Sequence, residues 1–194
     1  IKGEHDAATG RYTLTVVQSC PPTPGQETKL PFHIPLAVGL IGPDGRDLLA
    51  EGTRVLSVKQ PEERFVFENI PRGLDRAPVP SLLRDFSAPV IVKHEYSESD
   101  LAHLMAHDSD AFNRWEAGQR LALVIVLRGI AAVRAGSRLE VPQAFVRAFG
   151  RVLKGEGNAG PKDPAFAAEA LTLPSERYIA EQMDLVDPDA IHAV

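Results

Sequence analysis

His103 and His107 stand four residues apart, with Asp108 and Asp110 close behind. On an α-helix that spacing sets two imidazoles on one face, one turn apart. Zinc hydrolases use it in H-E-x-x-H, where both histidines hold the ion and the glutamate acts as general base. Here Leu104, Met105 and Ala106 lie between the histidines. A leucine holds the place of the base, so hydrolysis of that kind lacks its proton acceptor. A third ligand would also have to come from another element. The sequence predicts a helix with its two histidines on an exposed or interface face, opposite Leu101, Leu104 and Met105, where nickel or zinc would bind only adventitiously.

Other candidates fail on context. His94-Glu95-Tyr-Ser-Glu98 begins like the zinc motif but has Glu98 in its fifth place. It also falls in an extended stretch, where His94 and Glu95 point to opposite faces. Cys20 precedes Pro21 and Pro22 with no cation beside it in sequence, which predicts an inert, partly buried thiol. Gly155-Glu-Gly157-Asn-Ala-Gly160 has the letters of G-x-G-x-x-G, yet follows a helical stretch, whereas the dinucleotide motif follows a strand. Ser-x-x-Lys, G-x-S-x-G and a P-loop are absent. In Arg114-Trp115-Glu116 the tryptophan reads as a core anchor, with ligand stacking the lesser reading. Arg84-Asp85 reads as a solvated strand end. On these residues the chain is expected to hold no catalytic, cofactor-binding or metal-binding residue.

The elements that would position such residues fall in two halves. Tyr12, Leu14 and Val16 alternate with Thr13 and Thr15, the period of a half-buried strand. Phe32, Ile34, Leu36, Val38 and Leu40 continue that pattern, with Pro35 inside it pointing to an edge or a bulge. Gly42-Pro-Asp-Gly45 is turn chemistry, and Gln60-Pro-Glu-Glu63 reads as another turn. Further strands are expected at residues 55–58, 65–70, 81–86 and 90–96. Most of the 16 prolines fall in this half. The pattern predicts an immunoglobulin-like sandwich of about seven short antiparallel strands.

From Ser97 the grammar is helical. Ser97-Glu-Ser-Asp100 has a capping-box layout. Asp108-Ser-Asp110 offers caps for a second helix through Ile130, apolar on most faces from Leu121 and therefore expected to be buried and central. Gly136 should end it. Pro142 suits the first helical position of residues 143–154. Asp163-Pro164, Ser175 and Asp187-Pro188 each open a further helix.

The totals narrow the classes. A chain of 194 residues suits one large domain or two of about 100. Apolar residues make up 44%, enough for packed cores. The net charge of -5 attracts no polyanion, so no nucleic-acid partner is expected. The longest apolar run stops at Arg128, far short of a membrane span, and no membrane partner is expected. A single cysteine makes no internal disulfide, which fits a cytoplasmic location. The missing N-terminal methionine, and a helix start at Asp187-Pro188 with so little chain after it, are read as signs of a piece of a longer protein.

Six stretches, in order and with matching spacing, carry a resemblance. They are YTLTVVQSCPPTPGQ (12–26), LPFHIPLAVGLIGPDG (30–45), FVFENI (65–70), VPSLLRDFSAPV (79–90), LMAHDSDAFNRWEAGQ (104–119) and EALTLPSE (169–176). Together the chain resembles the bacterial aminopeptidase N family, zinc metallopeptidases of the gluzincin type. The resemblance implies that residues 1–97 are the family's small β-sandwich domain and 98–194 the opening of its C-terminal helical domain. It places the thermolysin-like catalytic domain, with its zinc, outside this sequence. Neither H-E-x-x-H nor the family's G-A-M-E-N-like segment is present, so no catalytic residue carries over. The implied partners are the catalytic domain and the remaining C-terminal helices of the same chain, with peptides as the parent's substrate. The sandwich would bridge the two, and the helical part would help cover the active site.

Two other readings stay open. One is an independent sandwich module for binding; the other is a small metallohydrolase built on His103 and His107. A piece of a larger hydrolase is further expected to show an apolar patch of more than a few hundred Å² on its helical half, near residues 121–130 or the last helix.

Overall fold

The computed structural model describes residues 1–156 and 163–194. They form two compact units, Ile1–Glu95 and Tyr96–Val194.

The first unit contains β1 (Lys2–Asp6), β2 (Arg11–Val17), β3 (Ile34–Ile41), β4 (Arg54–Val58), β5 (Glu62–Phe67) and β6 (Val79–Leu82). They make two three-stranded sheets, ordered β1-β2-β5 and β4-β3-β6, with every pair antiparallel. Tyr12, Leu14 and Val16 on β2 and Phe67 on β5 are buried. So are Leu36, Val38 and Leu40 on β3 with Leu56 and Val58 on β4. On β2 the buried residues alternate, whereas β3 is buried at every position from Leu36 to Ile41. Each such side chain contributes roughly 1.5–3 kcal/mol by leaving water.

The strands at residues 12–16, 32–40 and 55–58 form close to where the alternation puts them. Four other expectations need correction. Glu62 and Glu63 belong to β5, so the turn before it is shorter than Gln60–Glu63. The stretch 81–86 is strand only to Leu82. A single 3-10 turn, Arg84–Phe86, follows, because Leu83, Asp85 and Phe86 take positive φ values of 60°, 55° and 49°. Residues 90–96 carry no strand ladder. Pro35 lies in the central strand β3, but β6 pairs only with its far half, Val38–Ile41. On the β6 side the ladder has not begun at Pro35, so its missing N–H interrupts nothing.

The pattern also hid β1. Lys-Gly-Glu-His-Asp has no apolar alternation, yet it pairs along β2 from Lys2–Thr15 to Asp6–Arg11. Tertiary context supplies what propensity lacks. The His5 ring lies 6.4 Å from Tyr12, and a Cβ on Gly3 would sit 2.2 Å from the Tyr12 hydroxyl.

The second unit contains α1 (Glu98–His107), α2 (Ala111–Arg134), α3 (Gln143–Lys154), α4 (Pro164–Ala170), α5 (Glu176–Glu181) and α6 (Pro188–His192). The caps explain the starts. Ser97 and Asp100 form the full capping box, and Asp110, Asp163, Ser175 and Asp187 each accept from an N-terminal backbone N–H. α2 ends at Gly136, whose φ of +70° allows Gly136 N–H to reach Val133 O and Ser137 N–H to reach Ala132 O. Pro142 is the residue before α3 rather than its first member.

α1 packs between α2 and α3, and residues 101–106 are buried on every side. Gly118 gives α2 its close approach to Met105, 3.4 Å from where a Cβ would stand. Farther along, Ile130 of α2 packs with Ile179 of α5 and Ala190 and Ile191 of α6. α2 is thus central, but Val124 and Arg128 face out. In the stretch 121–130, Leu121, Ile125 and Ile130 are buried and Val124 is exposed. Other exposed apolar side chains of this unit are Val141, Val146, Leu153, Leu173 and Tyr178, with Leu185 and Val186 just before α6. No helix among the described residues is long and apolar enough to cross a membrane.

Candidate functional site

His103 and His107 do share a helix face. Their ring centroids lie 4.7 Å apart with planes tilted by 39°. The face is not exposed, however, since His103 is 9% accessible and Asp108 is fully buried. Of the two settings the sequence allows, exposed or at an interface, burial of His103 excludes the exposed one. Among the described residues, no group of three or more His, Cys, Asp or Glu is arranged to hold a metal ion. The donor set around this pair does not fit a zinc centre.

The remaining candidates are dispersed. His94 Nδ1 lies 2.9 Å from the carbonyl oxygen of Ile1, while Glu95 is exposed. Glu98 accepts from both terminal nitrogens of Arg128, at 2.6 and 3.2 Å, which raises the Arg128 pKa chiefly through that hydrogen bond. Cys20 is half-buried, its Sγ 3.7 Å from Pro21 O. Trp115 is half-buried against Phe112, with ring centroids 5.4 Å apart, which agrees with an anchoring role. Of the Gly155–Gly160 motif, Gly155 caps α3 with a φ of +64° and Glu156 follows it; residues 157–160 lie outside the described residues.

Two buried arginines were not anticipated. Arg84, expected at a solvated strand end, is 2% exposed. Its Nε–H donates to Ser81 Oγ at 2.8 Å. Nη1 donates to Gly52 O at 3.0 Å and Thr53 Oγ1 at 3.1 Å, and Nη2 to Asp47 Oδ1 at 2.8 Å. The guanidinium lies flat against Gly39 of β3, where a Cβ would come within 2.2 Å of Cζ. One side chain thus joins β6, β3, the loop before β4 and the left-handed turn that carries it. A sequence signal existed: a lone glycine inside an apolar strand marks a close approach.

Arg114, 5% exposed, does the same among helices. Its Nε–H donates to Met105 O at 3.0 Å and Nη2 to Glu156 O at 3.2 Å. Its guanidinium carbon stands 5.3 Å from the Phe166 ring centroid. Burial lowers its pKa, the Asp108 charge opposes that, and Arg151 adds to it. The group joins α1, α2, α4 and Glu156, the second residue after α3. Both arrangements give a buried cation hydrogen-bond acceptors and tie distant backbone together.

Comparison with known proteins finds matches to both units. A family model described as a domain of unknown function (DUF3458) with an Ig-like fold matches residues 1–95. A second, described as a domain of unknown function (DUF3458_C) of ARM repeats, matches residues 98–194. Aminopeptidase N of Escherichia coli is 40% identical over 199 residues, spanning 100% of this chain and 22% of the relative. Aminopeptidase N of Caulobacter vibrioides is 41% identical, spanning 100% and 21%. A solved structure, Legionella pneumophila aminopeptidase A in complex with aspartic acid, superposes with a TM-score of 0.71 at 30% identity, spanning 99% of this chain and 20% of that one. This chain therefore spans about a fifth of the length of these relatives. With an Ig-like unit followed by a helical one, both matched by their models, the chain belongs to the DUF3458 family, in the segment it shares with bacterial aminopeptidase N.

Proposed function

We propose that this chain is a non-catalytic, structural part of a zinc-dependent aminopeptidase that removes N-terminal amino acids from peptides. The observation that carries the reading is similarity at 40% identity through the whole chain to about a fifth of an aminopeptidase N. In this reading residues 1–97 bridge the catalytic and helical domains, and 98–194 help to cover the active site. Zinc, held in the catalytic domain, would polarise the scissile carbonyl and activate water. Among the described residues no group of three or more His, Cys, Asp or Glu is arranged to hold that ion, and in this reading the buried arginines act by holding shape. Arg84 and Arg114 make the two units stiff enough to transmit position, which a bridging part requires. The lone Cys20 supports a cytoplasmic setting.

The test compares two proteins in hydrolysis of aminoacyl anilides, with metal analysis of each. The full-length parent should turn over and lose activity to a chelator. The 194-residue chain alone should show neither turnover nor stoichiometric zinc. Hydrolysis by the short chain, abolished by His103→Ala or His107→Ala, would overturn the proposal.

A further inference from the structure

Three helices of the second unit run back along α2. Glu98, at the start of α1, bonds Arg128, and Met105, near its end, packs at Gly118. Leu139, in the loop before α3, packs at Gly129, and Glu156, just after α3, accepts from Arg114. Asp187, the cap of α6, bonds Arg134, and Val194 reaches Gly129. All three helices are therefore antiparallel to α2. Their first residues are 98, 143 and 188, two equal intervals of 45. That interval falls in the armadillo range of about 40–47 residues, in keeping with the ARM repeats of the matching model. In such stacks each unit buries its faces against the unit before it and the unit after it.

α1 packs on α3, whose buried residues are Ala148 and Val152. Gly150 stands two residues from each of these, and Val146 two from Ala148. Two residues are about 200° of helical turn, so both lie on the opposite side of α3. Leu153, seven residues from Val146, shares that side. Val146 is 48% exposed and Leu153 67%. Nothing lies within 4 Å of the place that a Cβ would take on Gly150. The two glycines inside α2 differ. Met105 crowds that place at Gly118, and Leu139 and Val194 crowd it at Gly129. A glycine weakens a helix and is of use where a neighbour must come close. At Gly150 no described residue makes that use of it.

We propose that the Val146–Gly150–Leu153 face of α3 seats the stretch of the parent polypeptide that follows Val194, which prolongs α6 into the third antiparallel helix of the series. The proposal rests on the reading of this chain as the opening of a longer helical domain, and this chain spans only 22% of the Escherichia coli relative. Two observations name the occupant. α6 starts one interval after α3, as α3 starts one interval after α1. Leu139 and Val194 meet over Gly129, so the chain passes Val194 level with the beginning of α3 and heading the same way along α2. The step that takes α1 to α3, repeated, puts the next helix on the side of α3 away from α1. There Val146 and Leu153 supply apolar contact, and Gly150 leaves a gap between them for a backbone or a large side chain.

Two measurements on the full-length parent test it. In hydroxyl-radical footprinting of the unmodified protein, Leu153 should be oxidised at least about fivefold more slowly in the native state than after denaturation, as befits a desolvated contact. Any smaller slowing would overturn the proposal, because a side chain left 67% exposed has little to shield it. Photo-crosslinking starts from p-benzoylphenylalanine placed at Arg147, at the rim of the face, so that the contact itself is kept. It should reach the same molecule within about 25 residues after Val194, the length of helix needed to run the span of α3. Links only to residues 1–194, links to a more distant segment, links between molecules, or no link would overturn it. Hydrolysis of aminoacyl anilides by the unmodified protein is read separately. If that protein is inactive the aminopeptidase reading fails, whatever α3 touches; if it is active and Leu153 is open, only the seat on α3 fails.

Discussion

The packing of Arg84 on Gly39 makes a quantitative prediction. Gly39→Ala would set a methyl group 2.2 Å from Arg84 Cζ and 2.4 and 2.5 Å from its terminal nitrogens. The guanidinium has no room to retreat, being 2% exposed and bonded to Ser81, Gly52, Thr53 and Asp47. Overpacking should cost about 2–3 kcal/mol. Arg84→Ala removes the cation and leaves buried Ser81 and the Asp47 carboxylate without it. Breaking a buried pair in this way costs about 3–5 kcal/mol, and the lower end applies because Asp47 is 17% exposed and can regain water. With about 2.1 cal/mol/K per residue over Ile1–Glu95, 3 kcal/mol lowers the melting temperature of this unit by about 15 °C. In the double variant the alanine methyl occupies space the guanidinium has left. Gly39→Ala should then be neutral to within about 0.5 kcal/mol, giving a coupling of about 2 kcal/mol. Urea unfolding followed by circular dichroism reads all four corners of the cycle. Additive losses, with Gly39→Ala as harmful without Arg84 as with it, would refute the contact.

Other substitutions probe the helical unit. Asp110→Ala removes the acceptor for Asn113 N–H at the start of α2 and should cost about 1 kcal/mol in urea unfolding; no change would show the cap to be idle. Arg114→Met keeps length but removes the cation near fully buried Asp108, and should cost about 2–4 kcal/mol, partly recovered by adding Asp108→Asn. Recovery of nothing would mean that the two charges are not coupled. Asp187 is held below its ordinary pKa, first by the Ala190 N–H and then by Arg134. A depressed folded value means that its support of α6 is complete above about pH 4 and is lost as pH falls through the folded value. Hydrogen exchange at the Ala190 amide should therefore lose protection only in acid, and a profile unchanged on Asp187→Asn would contradict this.

What could be read from the sequence was whatever depends on neighbours in the chain. Ser97 with Asp100, Asp110, Asp163-Pro164 and Asp187-Pro188 mark helix starts because a cap acts within three residues of itself. Tyr12, Leu14 and Val16 mark a strand because alternation is local. β1 was hidden because Lys2–Asp6 pairs through its backbone and takes its fit from Tyr12, ten residues on, rather than from its own side chains. The strand expected at 81–86 failed for a related reason. Ser-Leu-Leu-Arg-Asp-Phe was read as one strand, but the chain leaves the ladder after Leu82, takes left-handed φ at Leu83, Asp85 and Phe86, and brings Arg84 over Gly39, a contact 45 residues away in sequence. For His103 the sequence left an exposed and an interface face open, because Leu101, Leu104 and Met105 mark only one face of α1; its burial was not local information. The two buried arginines therefore stand where local reasoning stops. Each bonds to groups far along the chain, Arg84 to Asp47 and Arg114 to Glu156, and each fixes backbone rather than meeting a substrate.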